Sequence, residues 1–125
     1  MSRFDASAWA GMWPFTASAP TFLPELCKNL IAAGISGAAV SPLNAVLAPE
    51  PMGANLALID QAGLLASDDF EIRVVPVLDP SLPGWERDLE KLLSEHEALI
   101  GAVKILPNYH NYAVDGSEAA ALARA

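Results

Sequence analysis

The chain has 125 residues, of which 53% are hydrophobic and 18% charged, with ten prolines and a single cysteine. That composition describes one globular domain over residues 1–125 and excludes a disulfide scaffold, a collagen-like fibre and a disordered tail. Seven Lys and Arg stand against fifteen Asp and Glu, a formal net charge of -8. The basic footprint of a nucleic-acid binder is missing, so no nucleic-acid partner is expected.

Two uncharged stretches are long enough to raise the question of a membrane span. Ala6 to Pro24 contains Pro14, Pro20 and Pro24, and Asn29 to Pro49 contains Gly34, Gly37, Pro42 and Asn44, so neither sustains a spanning helix. The Ala17-Ser18-Ala19 triplet mimics a signal-peptidase site. Asp5 and the weak apolar run from Ala8 to Phe15 argue against a secretory signal. Cys27 falls at an apolar helix position and reads as a buried, inert thiol, which leaves a reducing cytoplasm as the expected compartment.

Periodicity predicts short apolar strands alternating with amphipathic helices, the pattern of an α/β fold with a parallel sheet. Strands are expected at Arg3 to Trp9, Gly37 to Ser41, Glu71 to Leu78 and Ile100 to Leu106. The first helix spans about Phe22 to Ala33, where Leu23, Leu26, Cys27, Leu30 and Ile31 recur at three and four, Thr21 can cap the start and Gly34 can stop it. Further helices are expected at about Met52 to Ala62 with Gly63 at its end, Trp85 to Glu97, and Gly116 to Ala125. On the third, the Lys91/Glu95 and Glu86/Glu90 pairs read as a solvated face and His96 as a surface residue.

In parallel α/β architectures ligands bind at the carboxyl ends of the strands. Here those ends deliver Ser7, Trp9 and Trp13, then Ser41 and Asn44, then Asp79, and finally Lys104 with the segment Pro107 to Tyr112. Lys104 stands in a run of Ile, Val, Ala and Leu, where an unpaired ammonium costs several kcal/mol of desolvation. It either forms an ion pair with Asp79 or Asp5, binds an anionic ligand, or is carboxylated to bridge two metals. Tyr109 and His110 either lie over a pocket or belong to a polar turn. Lys104, His110, Tyr109, Asn44 and Asp79 are the candidate ligand-binding residues. No phosphate loop, Cys-x-x-Cys pair or Gly-x-Ser-x-Gly elbow is present, and catalytic residues remain unassigned.

Five segments together resemble one known family: Phe4 to Trp9 followed by Gly11, Ala32-Ala33-Gly34, Ala38 to Pro42, Val75 to Pro80, and Gly101 to Pro107 with Tyr109. They are similar to the amidohydrolase-related branch of the metal-dependent hydrolase superfamily, whose hydrolases, lactonases and decarboxylases are built on a TIM barrel. The resemblance implies a parallel (β/α)4 unit, the amino-terminal half of a TIM-barrel-type fold, since a whole barrel takes eight units and about 250 residues. It also implies ligand-facing positions for Lys104 and for Asn108 to Tyr112.

A divalent metal such as zinc is implied by the resemblance alone. Ser7 and Trp9 stand where the family's Asp-x-His-x-His motif carries two metal-binding histidines, so no metal ligand is assigned and no cofactor is expected. The expectation is therefore a hydrolase-like half-barrel that binds a small polar or anionic molecule, with the usual metal hydrolysis lost or incomplete. A half-barrel exposes two sheet edges, which makes a homo-oligomer or a completing partner chain the expected association. Two alternatives stand beside it: a non-catalytic interaction module, and an open-sheet domain binding an anionic metabolite at helix amino termini.

Overall fold

A computed structural model describes residues 2–13, 15 and 21–125. Pro14 and the Ala17-Ser18-Ala19 triplet lie outside the described residues. The order of elements is β1 (Phe4–Ala10), α1 (Leu23–Ala32), β2 (Gly37–Pro42), a short 3-10 turn (Leu43–Ala45), α2 (Met52–Leu65), β3 (Glu71–Val74), α3 (Trp85–His96), α4 (Pro107–His110) and α5 (Ser117–Arg124). The fold is α/β, with a three-stranded, all-parallel open sheet in the order β1-β2-β3. No helix among the described residues is long and apolar enough to cross a membrane.

The sheet is covered by helices on one face. Ala8, Ala10, Ala38, Val40, Ile72 and Val74 alternate onto that face and pack with Leu23 and Cys27 of α1, Leu58, Ile59 and Ala62 of α2, and Leu92 of α3. Cys27 is buried and free, and burial pushes its thiol pKa up. The central strand approaches its neighbours so closely at Gly37 that an added Cβ would stand 2.8 Å from the Glu71 carbonyl oxygen and 2.8 Å from the Phe4 ring. Only glycine lets β1 and β3 both reach it there.

The expected fourth strand exists as two parallel bridges instead of a continuous strand. Val74 pairs with Ile100 and Val77 with Lys104. Backbone bonds run from Val74 N to Leu99 O (2.7 Å), Gly101 N to Val74 O (3.1 Å), Lys104 N to Pro76 O (2.8 Å) and Leu78 N to Lys104 O (3.0 Å). Regular pairing of β3 stops at Val74, short of the expected Leu78, because Pro76 has no N–H to give the ladder.

Beyond that point β2 has ended and Asn55 of α2 stands in for it. The Val77 N–H donates to Asn55 Oδ1 at 2.9 Å, and Asn55 Nδ2 donates to the Val77 carbonyl at 2.7 Å. The chain thus holds residues 75–78 extended, with the carboxyl end of the third segment pointing where the site lies.

Smaller departures have local causes. Thr21 does not cap α1; Phe22 is its N-cap without a side-chain bond, and Thr21 pairs through its backbone with Gly11. Helix α2 runs through Gly63 to Leu65, since Gly63 sits inside a helix that is apolar on most sides and has no reason to end there. His96 is half-buried, its Nε2 3.8 Å from Glu95.

Asn55 is fully buried. Replacing it by Ala strands one buried N–H and one buried C=O, each worth about 1–3 kcal/mol. Urea denaturation of Asn55→Ala is expected to show a loss of about 4 kcal/mol, the middle of the range for two such groups. A loss below about 1 kcal/mol would mean the strand end finds other partners.

Candidate functional site

The five candidate residues lie at or just beyond the carboxyl end of the sheet. β1 ends in Trp9, β2 in Ser41, the third segment in Asp79, and the fourth delivers Lys104 before α4 and its flanking Tyr112. Trp9 and Ser41 are register partners and so share a face.

Lys104 Nζ lies 4.1 Å from the centroid of the Trp9 ring. These two residues belong to strands three places apart, which in a flat sheet would stand about 14 Å from each other. The contact requires the outer strands to curl toward one another across the two strands between them, on the face that Trp9 shares with Ser41. A second contact spans the same gap higher up: the Tyr109 ring meets Trp13 edge-on at 6.0 Å, and Trp13 meets Phe15 at 5.7 Å.

Neither carboxylate expected as a partner reaches Lys104. Among the described residues no Asp or Glu lies within 4.0 Å of its ammonium. Asp5 Oδ1 accepts from the Ser7 backbone N–H at 3.0 Å. Asp79 Oδ1 accepts from both the backbone N–H (3.0 Å) and the hydroxyl (2.5 Å) of Ser81, while its Oδ2 faces His110 Nδ1 at 3.8 Å. Burial lowers the Lys104 pKa from 10.5, with no counter-charge to oppose the shift.

His110 and Asp79 are packed side by side, with side chains 5% and 9% exposed. Both ring nitrogens of His110, the Tyr112 hydroxyl and the Ser41 hydroxyl are buried without a hydrogen-bond partner among the described residues. Each such orphan costs about 1–3 kcal/mol unless something satisfies it. All four belong to strand-end segments: the end of β2, α4, and the turn after α4. The loop that carries His110 and Tyr112 turns back at Asn111, whose φ of 59° and ψ of 50° close α4. Beside it opens a cavity of about 570 Å³ lined by Leu106, Tyr109, Tyr112 and Asp115, among others.

Asn44 serves the rim. Its Oδ1 accepts from the Met12 N–H at 3.0 Å, and a Cβ on Gly11, where φ is +131°, would run into that same oxygen. Glycine is needed there so that Asn44 can tie the β1 loop to the end of β2. Asn44 also lines two cavities, of about 160 and 240 Å³, on the β1–β2 side.

The five candidate residues therefore all sit at the strand ends, in two groups. His110 and Asp79 touch; Tyr109 joins them to the β1 loop through Trp13; Asn44 braces that loop; Lys104 stands against Trp9. Trp9, Ser41 and Tyr112 stand among the strand-end residues that the sequence points to, but outside the five ligand-binding candidates. Ser7 is exposed at the β1 irregularity between Asp5 and Ala8. Among the described residues no three of His, Cys, Asp and Glu converge as a metal-ligating group. Comparison with protein-family models, with characterised proteins and with solved structures finds no match.

Burial, and after it the charge of Asp79, push the Tyr112 phenol from 10.0 up to about 12, with the Leu106 backbone amide opposing. A phenol that holds its proton longer folded than unfolded stabilises the fold fully below pH 10 and loses that contribution as pH rises toward about 12. Alkaline titration by phenolate absorbance is expected to show a late phase near the top of that window. Tyr112→Phe should remove the late phase and flatten the alkaline fall in stability; a late phase that survives the substitution would assign it elsewhere.

Proposed function

We propose that the chain binds a small polar or anionic molecule at the carboxyl ends of its strands. Lys104 supplies the positive charge, and Ser41, His110 and Tyr112 supply hydrogen bonds. The observation that carries this reading is the Lys104 ammonium, desolvated and faced by an aromatic ring and by no carboxylate. A lysine kept for stability alone would be paired or replaced by an apolar side chain of like size.

The likeness of the five segments to the amidohydrolase-related branch supports a half-barrel frame, and the parallel sheet with helices on one face accords with it. In that frame the fold is a (β/α)4 half of a TIM-barrel type. Its hydrolase chemistry is not carried to this chain, since Ser7 and Trp9 replace the motif's metal-binding histidines.

Calorimetric titration with glycolate, a small hydroxy acid, tests the binding. Saturable binding is expected, with Lys104→Met weakening it about tenfold or more, as for the loss of one hydrogen bond from a charged group. Equal affinity in both proteins would remove Lys104 from the site.

One observation favours a second reading, self-association through the open sheet. Phe4 is 48% exposed on an edge strand, and all the helices that pack on the sheet lie on its other face. Light scattering is expected to give a mass above that of one chain if two copies cover each other's sheet faces; a monomer at high concentration overturns this.

A further inference from the structure

The chain has three lysines, Lys28, Lys91 and Lys104. Lys28 and Lys91 are exposed on α1 and α3. Lys104 is half-buried in a strand segment, its Nζ 4.1 Å from the Trp9 ring centroid and more than 4.0 Å from any described carboxylate. Its nitrogen is not among the fully buried, unpartnered atoms, so it keeps some contact with solvent.

Resting on the reading of the strand ends as a small-molecule site, we propose that Lys104 captures small anionic carbonyl compounds, such as 2-oxo acids with a free aldehyde or ketone, as a Schiff base. The geometry meets two needs of that reaction. The amine has no carboxylate to hold it as an ammonium, and burial further enlarges the share of free amine. The product iminium keeps the positive charge, and with it the attraction to the face of Trp9.

The step balances within the two reactants. One proton leaves the ammonium, and the freed nitrogen lone pair forms a bond to the carbonyl carbon as the C=O π pair moves to oxygen. The oxygen takes up that proton and a second one from nitrogen. It departs as water while the remaining nitrogen pair forms the C=N bond. Ammonium and carbonyl thus give iminium and water, with no oxidant or further reactant.

The test uses the full chain with glyoxylate as probe and cyanoborohydride to reduce any imine to a carboxymethyl group on the lysine nitrogen, located by peptide mass mapping. Lys104 is expected to take up severalfold more label than Lys28 or Lys91, because burial lowers its pKa and leaves it a larger share of free amine. Excess glycolate, which has no aldehyde or ketone, should suppress the Lys104 label alone. Lys104→Arg keeps a cation beside Trp9 but should carry no label at position 104. Equal labelling of the three lysines, or labelling of Lys104 that glycolate leaves untouched, overturns the proposal. If glycolate binds and Lys104 is not preferred, the Schiff base falls and the pocket stands; if glycolate does not bind either, both fall.

Discussion

A half-buried ammonium with no counter-ion is the constraint from which the rest of this molecule is best understood. Lys104 belongs to a strand segment at one edge of the sheet, and the ring that faces it belongs to the other edge. A cation over an indole is worth about 0.5–2 kcal/mol, rising as water is excluded, which is less than the desolvation of a fully buried ammonium costs. The contact therefore does not by itself justify the lysine. What it does is fix geometry: the two edges are drawn together over Ser41, the sheet becomes concave at its carboxyl end, and the loops that follow, carrying Trp13 and Tyr109, meet above it.

Holding that end open and polar demands rigidity beneath it. Asn55 supplies it by taking both backbone groups of Val77 at the point where β2 has ended and no strand remains to pair. One side-chain amide reproduces the donor and acceptor of a missing neighbour strand, and α2 thereby sets the height at which Asp79 emerges. On the opposite side, the Asn44 bond to Met12 does the same for the loop after β1. Both asparagines act on backbone, so the site is positioned by main-chain anchors and its titratable groups are left free of structural bonds, Asp79 Oδ1 excepted.

The alternation of helix and strand was legible in the sequence because it rests on apolar periodicity, which burial enforces. In α1 the core at Leu23 and Cys27 falls at positions that the three- and four-residue spacing singles out, while Ile31 on the same spacing is exposed; α2, apolar on most sides, has no such stripe. What periodicity could not reveal was pairing between distant groups. The residues at the strand ends were visible as a set, since topology puts every strand end on one side, but the partner of Lys104 was not. Opposite charge suggests Asp79 or Asp5, and the structure gives Trp9, because Asp79 is held by Ser81 and Asp5 by the Ser7 backbone. A carboxylate already engaged by its own turn is a poor candidate for a distant cation, and that turn is readable in sequence as Asp79-Pro80-Ser81. The interruption of the fourth strand was hidden for a different reason: Pro76 is in the neighbouring segment, and its missing donor shows only once the two are paired.

A protein that retains four orphaned polar atoms and an unpaired lysine in one region departs locally from the consistency that specifies a fold, and such departures concentrate where function is served. Elsewhere the chain is consistent: the helix-covered face of the sheet is apolar, Cys27 is an inert core thiol, and the charged faces of α3 point to water. The polar groups of the strand ends are also chemically different from one another. An ammonium with a lowered pKa, a phenol with a raised one and an imidazole against a carboxylate cannot all be satisfied by a single simple ion. They suit a molecule with at least two kinds of polar group, one negatively charged and one that accepts attack or a hydrogen bond. A hydroxy or oxo acid is the smallest chemistry that has both.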